Sequence, residues 1–158
     1  MPAAPPDIRE WHDGNHKNAC GIADMLGVPA EAYAADPTSL VLPLQDYVHS
    51  APLDEFEQSD WITLHCDLVA YLADVMIRCH GAAWRTADDP DTPRGYRYVL
   101  EAPGRHGSTH SAHRIDPFAV VAAEFREPSV NIVGMLSTAA HELHVCPACA
   151  HDGQETPR

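Results

Sequence analysis

No apolar run in this chain approaches the roughly 20 residues that a membrane span needs. Basic side chains are scarce. Lys and Arg total 10 against 23 Asp and Glu in 158 residues, a formal charge of -13. A negative field of that size opposes nucleic acid and anionic membranes, because phosphate contacts need a basic patch. It agrees with simple solubility, and it favours cationic partners and metal ions. Met1 to Glu10 holds three prolines and no basic-then-apolar leader. No secretory peptide is read there, and the expected compartment is the cytoplasm. There is no internal repeat and no βαβ alternation, which argues against a Rossmann-type sheet. The five cysteines are an odd number. Without a secretion signal a disulfide framework is not expected, which leaves free thiols, metal ligands or a redox pair.

What is present suits one folded domain. The chain is 45% hydrophobic and long enough for a real core. Its organising stretch is Asp60 to Gly81. Trp61, Leu64, Leu68, Leu72, Val75, Met76 and Cys79 recur at three and four, a helical stripe. Thr63, Asp67, Asp74 and Arg78 fall away from it and read as a solvated face. Asp60 reads as the cap, and Gly81 as the positive-φ stop.

Before that helix, Ile8 to His12 reads as a short turn, and Asp13-Gly14-Asn15 as a break. Asn18 then caps a helix from Ala19 to Leu26. Pro29 to Ala35 and Pro43 to His49 read as two further short helices. After Gly81 the period changes. Ala83-Trp84-Arg85 and Gly95 to Ala102 read as strands around a loop of turn residues, Asp88 to Gly95. His113 to Asp116 reads as a short third strand. Pro117 opens a helix to Glu127, and Ser129 caps a last one to about His144. The fold class is α+β: N-terminal helices, a long core helix, a small antiparallel meander of two or three strands, and two C-terminal helices. The expected divisions are a proline-containing arm at 1–17, one domain at 18–144 and a Cys/His-containing tail at 145–158.

The pieces Tyr71 to Arg78, Gly81-Ala82-Ala83-Trp84, Tyr98-Val99-Leu100 and Arg114-Ile115-Asp116-Pro117-Phe118 resemble a family of small actinobacterial (Streptomyces-type) proteins. Its marks are an Arg…Gly-Ala-x-Trp step, a short hairpin, and an Arg-Ile-Asp-Pro-Phe-like corner. The family has no assigned function, so the resemblance implies the helix, hairpin, helix order and no chemistry. It covers a little over a third of the chain. The chain departs from it at Gly104 to His113, which brings His106, His110 and His113, and at the Cys-Pro-Ala-Cys tail.

Three groups of residues could carry chemistry. The first is His141, His144, Cys146, Cys149 and His151. Two thiolates two residues apart grip one tetrahedral ion, and histidines complete the shell, so the pattern points to zinc. A redox role for the same two cysteines fits poorly, since a helix precedes them and none follows. The second is Cys20, placed near the predicted start of a helix, where the dipole would favour a thiolate. His106, His110 or His113 would be its base and Asp116 the orienting acid. The plainer reading is a small buried cysteine. The third is the run His12, His16, Cys20, a ligand stripe only if the helix is continuous there. His65 reads as a satisfied core histidine.

The leading functional reading is a small acidic cytoplasmic interaction or regulatory protein, with a zinc-type site in its C-terminal segment and a protein partner or a second copy as its partner. The alternatives are a metal-dependent enzyme using the C-terminal Cys/His cluster with the 106–113 histidines, and a cysteine-nucleophile enzyme centred on Cys20.

Overall fold

The structure is a computed structural model and describes residues 7–103 and 113–143. Among these residues six α-helices and a three-stranded antiparallel sheet make an α+β fold.

The centre is α4, Gln58–His80. Its start is a reciprocal capping box. The Glu57 side chain accepts from the backbone three residues on, and the Asp60 carboxylate accepts from the Glu57 N–H at 3.0 Å. It stops at Gly81, whose φ of 67° lies in the left-handed region that glycine enters at no cost. Only its ends are amphipathic. From Leu68 to Met76 every residue is buried, because the helix is packed by other helices and by the sheet.

The N-terminal third differs from the sequence reading. One helix, α1, runs Ile8–Met25 straight through Gly14 and Asn15. Asp7 caps it by accepting from the Arg9 N–H at 2.9 Å. Gly14 costs about 1 kcal/mol against alanine in a helix, which tertiary contacts outweigh. Ala19, Ile22 and Ala23 are buried against the core. Asn15 donates to the Trp11 carbonyl, and Asn18 donates to Asp67 of α4. Residues 8–17 therefore belong to the folded domain and not to an arm.

Next come α2, Ala30–Ala35, and a single tight turn over Pro37–Leu40. The helix expected from Pro43 begins earlier, as α3, Val41–Ser50, with Pro43 in its first turn, where a missing N–H costs nothing. In the meander, β1 is Ala83–Asp88, β2 Tyr96–Ala102 and β3 His113–Ile115. Trp84 faces Leu100, and Leu100 faces Ile115. The turn chemistry at 88–95 is as expected, with Gly95 at φ 78°. Helix α5, Pro117–Glu124, is capped by Asp116. Helix α6, Ile132–Glu142, is capped by Asn131 and not by Ser129. Gln45 of α3 holds that corner with both ends of its amide, donating to the Val130 carbonyl and accepting from the Ile132 N–H.

Trp11 ties α1 to the sheet. Its ring stacks on Tyr98 with centroids 3.7 Å apart and planes within 4°, and meets Trp84 edge-on at 5.5 Å.

Candidate functional site

Among the described residues the buried charge of the core is Asp74. It is 4% exposed, so the solvated face assigned to it is wrong. A carboxylate in such a place must be satisfied by neighbours. His16 Nδ1 lies 2.7 Å from Oδ1, and the Tyr33 hydroxyl donates to Oδ2 at 2.5 Å. Arg78, one helical turn along α4, donates from Nη1 at 3.2 Å. Nη2 of Arg78 donates to the carbonyls of Tyr33 and Ala34 at the end of α2. The same guanidinium lies over the Tyr33 ring, 5.1 Å from its centroid. One carboxylate therefore gathers α1, α2 and α4.

The chain of contacts continues outward. His16 is half exposed, and its Nε2 lies 3.6 Å from Cys20 Sγ, one turn further along α1. In the neutral imidazole, with Asp74 accepting from Nδ1–H, Nε2 is the acceptor turned to the thiol. His16, Cys20, Tyr33 and Arg78 line a cavity of about 310 Å³, with Ala23, Val28 and Ala30 as its apolar wall.

The electrostatics are those of a resting thiol. Burial pushes the Cys20 thiol up, the Asp74 carboxylate pushes it further, and Arg78 offsets part of the rise. Burial, then the bond to Asp74, drives Tyr33 far above the usual phenol range, so it stays a donor. Cys20 sits in the last third of α1 and not at its start. The helix dipole that sequence invoked for it is absent, which agrees with the raised thiol.

The other expected partners lie elsewhere. Asp116 caps α5, accepting from the Phe118 and Ala119 N–H groups, and receives Arg97 at 3.3 Å. His113 lies in β3. His106 and His110 lie outside the described residues, as do His144, Cys146, Cys149 and His151. His141 is exposed near the end of α6. Cys66 and Cys79 are exposed thiols, so Cys79 leaves the buried stripe. His65 behaves as the satisfied histidine expected, 2.9 Å from the Phe118 carbonyl. The continuous helix does bring His16 to Cys20, but no group of three or more metal-type side chains is placed around one point among the described residues. Likewise no helix there is long and apolar enough to cross a membrane.

Sequence reasoning missed Asp74, Tyr33 and the role of His16. A signal was present. Asp74 and Arg78 form an i, i+4 pair inside the most apolar part of α4, where an acid has no solvent to face. No family model matches the chain, and neither a curated protein nor a solved structure matches it.

Proposed function

We propose that Cys20, His16 and Asp74 act as nucleophile, base and orienting acid, and that the chain catalyses acyl transfer on a small substrate held in the adjoining cavity. The observation that carries this reading is the unbroken line from Cys20 Sγ to His16 Nε2, and from His16 Nδ1 to Asp74 Oδ1. The base and acid differ from those the sequence suggested, and the nucleophile is the same. In this reading His16 Nε2 takes the thiol proton as Sγ attacks the acyl carbon. The imidazolium then returns that proton to the leaving group, and water releases the acyl chain from the thioester. Arg78 lines the cavity and supplies positive charge for the developing oxyanion. The raised thiol fits activation by a general base during reaction better than a standing thiolate–imidazolium pair.

The test is acetylation by p-nitrophenyl acetate, read at each cysteine by mass spectrometry, with exposed Cys66 as the internal control. Cys20 is expected to acetylate about 100-fold faster than Cys66, and His16→Ala to bring it down to the Cys66 rate. Equal rates at Cys20 and Cys66 in the unaltered protein end the proposal.

A second reading keeps the chain an acidic interaction protein, with a zinc-type staple at its C-terminal end. It is favoured by His141, which stands exposed on α6 while Leu143 beside it is buried and fixes the helix end. Cys146 and Cys149, with His141 and one of His144 and His151, would then bind zinc, within one chain or across a two-fold axis between copies. Protein purified without chelator is expected to hold about one zinc per chain or per pair of chains. Cys146→Ser with Cys149→Ser should empty it. Less than about 0.1 equivalent by mass spectrometry rejects this reading.

A further inference from the structure

A second cavity, of about 540 Å³, opens on the opposite half of α1 from Cys20, between Trp11, the 89–97 turn and the start of α5. That size suits a small organic molecule. Its walls are aromatic: Trp11 and Tyr98 stacked on each other, Tyr96 edge-on to Tyr98 at 5.7 Å, and Phe118 tilted toward Trp11 at 6.4 Å. Its polar groups are unevenly used. Arg97 is spoken for, lying 3.3 Å from Asp116 and 3.9 Å from Asp89. Both of those acids are also held by backbone N–H groups. Arg94 lines the cavity and makes no ion pair or hydrogen bond among the described residues. Tyr98 is 6% exposed, and its hydroxyl is buried with no hydrogen-bond partner, as is Trp11 Nε1. Tyr96 beside Tyr98 helps to push its phenol up, yet the pair does not reach hydrogen-bond geometry. A buried donor left unpaired is destabilising and needs an explanation.

We propose that this cavity binds a planar aromatic carboxylate. Its ring lies against the Trp11, Tyr96 and Phe118 wall, and its carboxylate takes the guanidinium of Arg94 and the hydroxyl of Tyr98. Two features select that class. Flat faces on the walls reward a flat ring over a puckered one. An unpaired guanidinium and an unpaired hydroxyl donor among the residues of one cavity reward an acceptor carrying charge, and the planar fork of arginine matches a carboxylate in particular. The neighbouring acids do not repel the ligand at full strength, since Arg97 lies between them. The site is separate from the Cys20 cavity and stands whether or not that cavity is catalytic.

The full chain is titrated with benzoate, benzamide and cyclohexanecarboxylate, following tryptophan fluorescence and heat. Benzoate is expected to saturate with a Kd of about 1 mM or tighter, a modest value for so small a ligand. Benzamide, without the charge, and cyclohexanecarboxylate, without the flat ring, should each bind at least about tenfold more weakly. Arg94→Gln, a surface change that leaves the fold intact, should cost the same factor for benzoate and nothing for benzamide. The absence of saturation by benzoate, equal binding of benzamide, equal binding of cyclohexanecarboxylate, or an Arg94→Gln protein that binds benzoate normally would each overturn the proposal.

Discussion

An Asp74→Ala protein is expected to lose about 3–5 kcal/mol of folding stability. The carboxylate is 4% exposed and holds three donors from three helices: His16 of α1, Tyr33 of α2, and Arg78 of its own α4, which also binds the end of α2. Alanine removes the acceptor and leaves the others. The Tyr33 hydroxyl would be buried without a partner, and Arg78 would keep only its two carbonyls. The loss is therefore not the worth of an ion pair in isolation. It is mainly the cost of stranding the Tyr33 hydroxyl, which is buried. Asp74→Asn keeps the shape and one good acceptor, but turns an amide donor toward a neighbour that also donates. It should fall between the two proteins. A urea melt reads the effect as a lower midpoint at unchanged slope. A loss below about 1 kcal/mol would mean that water reaches the carboxylate and that the three-helix junction is held by something else.

Truncating Leu72 to alanine should cost about 2–5 kcal/mol. Leu72 is fully buried in the segment of α4 that has neighbours on every side. The wall around it is built from helices held at both ends, so the space left behind collapses only in part. Because Leu72 takes no part in the hydrogen bonds of the Asp74 cluster, the change should leave thiol acetylation unaltered in the folded fraction. The pair of variants thus separates packing from the polar junction. A loss below about 0.5 kcal/mol in a melt would place Leu72 at the surface and refute the arrangement of α4.

The fold was largely legible, because its signals are local. Gly81 stops α4, Pro117 and Asp116 open α5, and the turn residues at 88–95 close the hairpin. Each rule acts within a few residues. The reading failed where a local rule lost to a distant contact. Gly14 and Asn15 signal a break, yet α1 continues, because Trp11 on one side packs on the sheet and Ala19 and Ile22 on the other are buried in the core. That single error hid the site. A broken helix puts Cys20 at a helix start and His16 in a loop. An unbroken one puts them one turn apart on a shared face. Asp74 was misplaced for a related reason. A stripe of apolar residues describes a helix with one covered side, and α4 is covered on all sides at that level. Nothing in the sequence near Asp74 says that Tyr33, 41 residues away, will supply a hydroxyl.

The unbroken α1 has a consequence for the two cavities. Trp11 forms a wall of one, and His16 and Cys20 line the other. At 1.5 Å per residue they stand only about 14 Å apart on one rod. Native proteins open locally in cooperative units, and a helix docked on its neighbours tends to lift as a whole. Lifting α1 would unstack Trp11 from Tyr98 and carry His16 away from Asp74 in the same event, with the sheet left in place. A molecule that holds Trp11 down therefore also lowers the population in which Cys20 has lost its partner, by a factor of one plus the ratio of its concentration to its dissociation constant. Amide exchange along α1 should slow uniformly on binding, from the turn at Trp11 to the turn at Cys20, although the ligand touches only the first.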